Sequence, residues 1–184
     1  MNKLILCEGA TDAILLSYYL ERMAGWEFAR KPPQGLSIRE TEQNEKVTWY
    51  QKNSDYLLIC AVGGKDNFGK FFDDKIQKPL VMSDAFEKIA IVADRDNREV
   101  SEIETEASAF LKVPCGTIKN NQWNDCSYTN EFRMEKSFST LLVVIPHEQQ
   151  GALETAMLVA IAEDPYDKSI VEKTGAFASQ MREE

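Results

Sequence analysis

The sequence contains a single histidine, His147, which follows Pro146 in a predicted loop. We therefore expect neither a Ser-His-Asp triad nor a metal site built from several histidines. The cysteines also lack CxxC spacing, which argues against a zinc site: Cys7, Cys60, Cys115 and Cys126. Cys7 and Cys60 lie inside apolar runs, so we expect them to be small buried residues of a reduced, cytoplasmic protein.

Long apolar runs and excess positive charge are missing as well. No run approaches the length that a bilayer span needs, and the first residues resemble a strand, not a signal peptide, so we expect no membrane association. The net charge of −9 argues against a broad basic surface for tight, sequence-independent DNA binding. It does not exclude a site where bound metal ions offset clustered carboxylates. The P-loop pattern GxxxxGK[ST] is absent too.

The order of apolar runs and helical patterns predicts one α/β domain over residues 1–184. Strands alternate with helices, which is typical of a mainly parallel central sheet with helices on both faces. Residues from about 27 to 56 are less regular, and we interpret them as an insertion or edge hairpin. Residues from about 165 to 182 are predicted to form a C-terminal helix that packs on the domain or on a partner.

The most informative stretch is the apolar run 89–93, which is followed by Asp94-Arg95-Asp96. If the run is a buried strand, side chains alternate between its faces, so Asp94 and Asp96 project to the same side. Two like charges held that close repel each other unless a proton or a cation lies between them. Carboxylate oxygens favour Mg²⁺ or Mn²⁺. The alternative is an ordinary strand end followed by an Asp/Asn turn.

Two earlier predicted strands also end in polar or glycine-rich turns. The first, residues 3–7, precedes Glu8-Gly9, and Asp12 lies in the first turn of the helix that follows. We expect Asp12 to face the sheet with Leu16, Tyr19 and Met23, although it could simply be a good helix-start residue. The second strand, residues 56–62, runs into Gly63-Gly64-Lys65, where Lys65 could offset a phosphate or a carboxylate cluster.

Glu154 is the least ordinary residue of the C-terminal half. It falls at helical spacing with Met157, Leu158 and Ile161, inside the apolar face of a predicted helix. A carboxylate in that position destabilises the fold unless it is paired, hydrogen-bonded or metal-linked. Glu154 is therefore either a functional acid or a residue that caps its helix or pairs with a basic side chain.

In combination these motifs resemble the Toprim domain, a module shared by topoisomerases, primases and nucleases of the overcoming-lysogenization-defect (OLD) type. The family pattern is a Glu-Gly after the first strand, a glycine after a later strand and an Asp-x-Asp after another. Here these are Glu8-Gly9, Gly63-Gly64 and Asp94-Arg95-Asp96. The resemblance covers about residues 3–160. Asp12 and Gly151-x-x-Glu154 are most similar to the nuclease branch and to small stand-alone prokaryotic Toprim proteins.

The resemblance implies a Toprim-like, Rossmann-like three-layer sandwich that cleaves phosphodiesters of DNA or RNA with Mg²⁺ or Mn²⁺, as a nuclease or related phosphotransfer enzyme. The implied metal ligands are Glu8, Asp12, Asp94, Asp96 and Glu154, with Asp12 and Glu154 completing a second metal position. The implied catalytic residues are Glu8, Lys65, Asp94 and Asp96. Glu8 would act as general acid or base, and Lys65 would neutralise the phosphate in the transition state.

Two other functions stay open. A non-catalytic module could keep the metal site and act through a protein partner or as a homodimer, with its acidic surface and C-terminal helix as docking elements. A phosphatase built around Asp-x-Asp fits less well. Such enzymes place that pair after their first strand, whereas the first strand here ends in Glu8-Gly9.

Overall fold

The computed structural model describes residues 2–111 and 116–180, with side chains described up to residue 174. Cys115, with the start of the weak strand predicted near it, lies outside the described residues, as do the last residues of the predicted C-terminal helix.

Seven strands form one sheet, in the order β2-β3-β4-β1-β5-β7-β6. The strands are β1 (Asn2–Cys7), β2 (Glu27–Phe28), β3 (Lys46–Lys52), β4 (Asp55–Ala61), β5 (Lys88–Asp94), β6 (Trp123–Thr129) and β7 (Glu135–Ile145). The helices are α1 (Ala10–Ala24), α2 (Phe68–Phe71), α3 (Lys78–Ser83), α4 (Val100–Phe110), α5 (Leu153–Ile161) and α6 (Pro165–Gln180). A 3-10 turn (Lys65–Asn67) precedes α2, and a π-helical turn (Phe72–Gln77) joins α2 to α3.

The prediction of a mainly parallel, Rossmann-like three-layer sandwich is wrong, because the sheet is mixed. Parallel pairing joins β4 to β1, β1 to β5 and β5 to β7. The pairings β2–β3, β3–β4 and β6–β7 are antiparallel. Antiparallel hairpins therefore flank the parallel centre on both sides. Strand β6 is polar and buries only Cys126 and Tyr128, so it lacks the continuous apolar run of the central strands.

The core is divided between the two faces of the sheet. The larger part lies on the face covered by the α2–α3 segment and α4, where Phe72, Ile76 and Ile103 pack on the central strands. The smaller part lies on the other face, where Ala13 and Leu16 of α1 pack on β1, β4 and β5. Strand alternation produces this division, since neighbouring residues of one strand point to opposite faces.

Helices α5 and α6 lie outside this core. No residue of α5 is buried, and its apolar residues Leu158, Val159 and Ile161 are about half exposed, at 50%, 55% and 47%. A helix that is apolar on most sides is normally buried, so the exposure of α5 is unusual.

In the described part of the chain, no helix is both long enough and apolar enough to cross a membrane.

A buried ion pair fixes the segment before β3. Glu45 accepts hydrogen bonds from the backbone N–H groups of Thr41 and Glu42, at 2.7 and 3.0 Å, and a further one from the ammonium of Lys75. Burial alone would raise the pKa of Glu45, but these hydrogen bonds hold it below its usual value. The pair links the irregular segment to the helices over the larger core.

Replacing Lys75 with Met should therefore destabilise the protein. The substitution leaves the buried Glu45 carboxylate without its cation, and we expect the free energy of unfolding to fall by about 1–3 kcal/mol in urea denaturation. The matched control is Lys70→Met, because the Lys70–Glu42 pair is exposed and its two charged groups lie 3.4 Å apart. Equal losses in the two variants would show that the Glu45–Lys75 pair has no special structural role.

Candidate functional site

The candidate site lies where the strands β1, β4 and β5 end. The three strands are adjacent and parallel, so their carboxyl ends meet at one edge of the sheet. The backbone N–H groups of Gly63 and Gly64 donate to the carbonyl oxygen of Glu8 at 3.0 and 2.9 Å. Both glycines have positive φ, 85° and 126°, which a residue with a side chain rarely adopts. The glycine turn thus places Lys65 beside Glu8.

Glu8 lies at the centre of this edge. Its Oε1 accepts a hydrogen bond from the backbone N–H of Asp94 at 3.0 Å, which orients the carboxylate across the gap between β1 and β5. Burial raises the pKa of Glu8 to about 7, and the nearby Asp94 and Asp96 add to the rise, while the Asp94 hydrogen bond opposes it. Glu8 therefore gains or loses its proton near neutral pH.

Asp94 links β5 to the start of α5. Its Oδ1 accepts a hydrogen bond from the backbone N–H of Leu153, the first residue of α5, at 2.9 Å. The pKa of Asp94 is raised to about 6, mainly by burial, and the hydrogen bond from Leu153 opposes the rise. The charges of Asp12, Glu154 and Asp96 contribute to the rise. Asp94 therefore lies close to three other carboxylates.

Asp12 is 7% exposed and caps its own helix. Its Oδ2 accepts a hydrogen bond from the backbone N–H of Gly9 at 2.7 Å. Burial raises the pKa of Asp12 above its usual value, and Glu154 contributes to the rise. Asp12 thus stabilises the start of α1, as expected of a helix-start residue, and it also lines the groove described below. Tyr19 and Met23 do not share its orientation, because they are 62% and 71% exposed.

Asp96 has a different environment from Asp94. The strand β5 ends at Asp94, so the alternation that was expected to align the two side chains does not extend to Asp96. Asp96 has a φ of 53° and exchanges two backbone hydrogen bonds with Gly151, at 2.6 and 2.8 Å. Its carboxylate pairs with the ammonium of Lys65 at 3.0 Å. The strand alternation on which the expected alignment rested therefore ends before Asp96.

An open groove of about 530 Å³ joins the other carboxylates. Four acidic side chains line it: Glu8, Asp12, Asp94 and Glu154. Glu154 is exposed at the start of α5, so its expected place within a buried apolar face is wrong. The structure brings four of the five expected metal ligands to one groove and leaves Asp96 paired beside it.

Gly151 sets the position of α5 relative to this groove. Its φ is 138°, and a Cβ atom added there would lie 2.5 Å from Oγ1 of Thr155. No side chain fits that space without a shift of the helix start. The glycine thus allows Asp96 and α5 to approach each other closely.

Sequence reasoning missed several polar residues of the site. Arg98 lies close enough to lower the pKa of Glu8, and its guanidinium pairs with Glu106 at 2.7 Å. Asn44 and Lys46 line the groove from the segment that was interpreted as an insertion or edge hairpin. Their sequence signal was weak, since nothing in a charged irregular segment indicates which residues return to a distant strand end.

The carboxylate oxygens of the groove suit a hard divalent cation, although their side chains are not arranged around a common point. Within residues 2–111 and 116–174, no group of three or more His, Cys, Asp or Glu side chains is arranged to hold a metal ion. The groove nonetheless brings four carboxylates together, with Lys46 as a cation in its wall. Burial and like charge raise the pKa of Asp94 and Asp12. A cation would relieve this repulsion. Glu154 is exposed, so its side chain has room to turn toward an ion.

Comparisons with known proteins identify a similar fold but no family. No protein-family model matches the chain. No curated protein matches it either. The crystal structure of hypothetical protein PH0156 from Pyrococcus horikoshii OT3 matches with a TM-score of 0.64 and 17% identity, over 98% of this chain and 74% of that one. At this identity the likeness shows the fold alone.

A second structural match carries no argument. The crystal structure of lactoylglutathione lyase from Agrobacterium tumefaciens has a TM-score of 0.23 and 14% identity, over 76% of this chain and 92% of that one.

The raised pKa of Glu8 makes stability depend on pH. The folded protein holds the Glu8 proton up to about pH 7, whereas the unfolded chain releases it near the ordinary value of 4.5. The resulting stabilisation is present below pH 4.5 and is lost as pH rises through 7. Without metal, the wild type should lose more stability between pH 5 and pH 8 than Glu8→Gln, as measured by urea denaturation.

The control for this measurement is Glu21→Gln, an exposed substitution near the end of α1 that should parallel the wild type. Parallel curves for the wild type and Glu8→Gln would contradict the assignment of a raised pKa to Glu8.

Proposed function

We propose that the protein is a nuclease of the Toprim type that cleaves phosphodiesters of DNA or RNA with Mg²⁺ or Mn²⁺. The observation that carries the proposal is the groove in which Glu8, Asp12, Asp94 and Glu154 meet, beside the Lys65 ammonium. Acidic oxygen ligands next to a cation are what a metal-dependent phosphoryl-transfer site requires. The proposal includes a cytoplasmic location, where both kinds of nucleic acid are available.

The groove residues would hold the cation. The Asp94 backbone donates to the Glu8 carboxylate, and the side chains of Asp94, Asp12 and Glu154 line the same groove as Glu8. Asp96 can join them once its pair with Lys65 opens. When bound, Mg²⁺ or Mn²⁺ polarises a phosphoryl oxygen and offsets its negative charge.

The remaining steps belong to side chains of the protein. Glu8, with a pKa of about 7, is suited to accept a proton from the attacking water or to donate one to the leaving oxygen near neutral pH. Lys65 is exposed and paired only with Asp96 among the described side chains, so a substrate phosphate can compete for its ammonium. In that position Lys65 stabilises the negative charge of the transition state.

A cleavage assay tests the proposal. Single- and double-stranded DNA and RNA are incubated with the protein and Mg²⁺ or Mn²⁺, and we expect cleavage of at least one substrate that EDTA abolishes. Asp94→Asn should lower the rate by roughly 100-fold or more, because loss of outer metal partners alone costs about 10–100-fold. The matched control is Asp125→Asn on the exposed face of β6, which should retain the wild-type rate.

Full activity in Asp94→Asn would refute the catalytic role of the groove. Cleavage of none of the four substrates by the wild type would refute the nuclease.

The exposed apolar helices favour a second function, a non-catalytic metal-binding module that acts as a homodimer. Leu158 and Val159 of α5 and Ile14 and Tyr18 of α1 are each at least half exposed. Several large apolar side chains exposed to this extent are a feature of protein interaction sites. Under this function the wild type sediments as a dimer, Leu158→Lys sediments as a monomer, and neither cleaves nucleic acid. A monomeric wild type would exclude it.

A further inference from the structure

A second cavity opens at the same edge of the sheet. It has a volume of about 400 Å³ and lies between the segment that follows β4 and the helix α4. Its deep end is formed by Ile91, Ile103 and Leu142, which are almost fully buried. Its outer end includes Lys65 and Arg98, two cations whose charges act on Glu8. The cavity is thus apolar inside, and the two cations at its outer end lie among carboxylates, since Asp66 and Glu106 also line it.

Aromatic rings form part of the cavity wall. Phe68 and Phe110 lie with their ring centroids 5.7 Å apart and their planes inclined by only 16°. Both residues line the cavity together with Gly69, which has no side chain to fill it. An apolar space of this size with aromatic walls is suited to a small flat group, since ligand sites of about 300–1,000 Å³ bury most of their ligand.

One hydrogen-bond donor of Arg98, which lines this cavity, has no acceptor in the described part of the chain. Its Nη1 donates to Glu106 at 2.7 Å, but its buried Nε has no hydrogen-bond partner in the part of the chain that is described. A buried donor without an acceptor is destabilising, so an anionic or carbonyl oxygen of a ligand would improve this site. Lys65 lines the cavity as well, and it also contacts Asp96 of the candidate site.

We propose that this cavity receives the base of one nucleotide, while the phosphate of that nucleotide lies against Lys65 and Arg98 next to the carboxylate groove. The proposal rests on the proposed function and narrows its substrate to single-stranded nucleic acid. A base that is paired and stacked in a duplex cannot enter such a cavity without leaving the stack. Every base can stack on aromatic side chains, so the cavity would select single-stranded over double-stranded nucleic acid without selecting a sequence.

Binding measurements without added metal test the cavity separately from cleavage. The probes are adenosine monophosphate, inorganic phosphate, a short single-stranded DNA and the same DNA as a blunt duplex, titrated by NMR. We expect adenosine monophosphate to bind about tenfold more tightly than phosphate, and the single strand about tenfold more tightly than the duplex.

One variant fills the cavity. Ala109 lines it from an exposed position of α4, so Ala109→Trp should occupy the space without loss of folding. The matched control is Thr105→Trp, an exposed position of the same helix outside the cavity. Ala109→Trp should remove the advantage of adenosine monophosphate over phosphate and leave phosphate binding unchanged. Thr105→Trp should behave as the wild type, and thermal unfolding confirms that both variants fold.

The outcomes separate the two proposals. The proposal that the cavity binds a base fails if the wild type binds adenosine monophosphate and phosphate with equal affinity. It also fails if Ala109→Trp and Thr105→Trp bind adenosine monophosphate with equal affinity. Both results hold even if the protein cleaves nucleic acid. Equal binding of single strand and duplex overturns the single-stranded substrate. Nucleotide binding that Ala109→Trp abolishes supports the cavity even if no substrate is cleaved, and in that case only the nuclease proposal fails.

Discussion

The backbone and carboxylate of Glu8 connect the three strand ends on which the candidate site depends. The carbonyl oxygen of Glu8 accepts the N–H groups of Gly63 and Gly64, and its carboxylate accepts the N–H of Asp94. These bonds require β1, β4 and β5 to be parallel neighbours in their observed register. The groove, the Lys65 position and the path into α5 all follow from this arrangement.

The same arrangement concentrates negative charge at one edge of the sheet. The fold turns one oxygen of each of Glu8, Asp12 and Asp94 toward a backbone N–H, so their orientation is fixed although they repel each other. Burial and repulsion together raise the pKa of Glu8 and Asp94 to about 7 and about 6. Carboxylates that are clustered and buried in this way either stay protonated near neutral pH or are neutralised by a bound cation. The proposed function assigns the second role to the groove.

Sequence reasoning located β1, β4 and β5 and their turns because apolar runs that end at glycine or aspartate are strong local signals. It failed where long-range pairing decides the structure. The polar strand β6 is stabilised by its pairing with β7, and the mixed sheet could not be inferred from local patterns. The conformation of Asp96 could not be predicted, because β5 ends two residues earlier and Asp96 bonds to Gly151, which is distant in sequence. The exposure of Glu154 reflects an α5 that does not pack into the core.

A crystal structure of the protein soaked in Mn²⁺ tests the central claim most directly, because anomalous scattering locates the ion without reference to activity. The account predicts Mn²⁺ in the groove, bound by Glu8 and Asp94 with Asp12 or Glu154, and it predicts loss of that ion in Asp94→Asn. Mn²⁺ absent from the groove at saturating concentration, or bound equally well in Asp94→Asn, would contradict it.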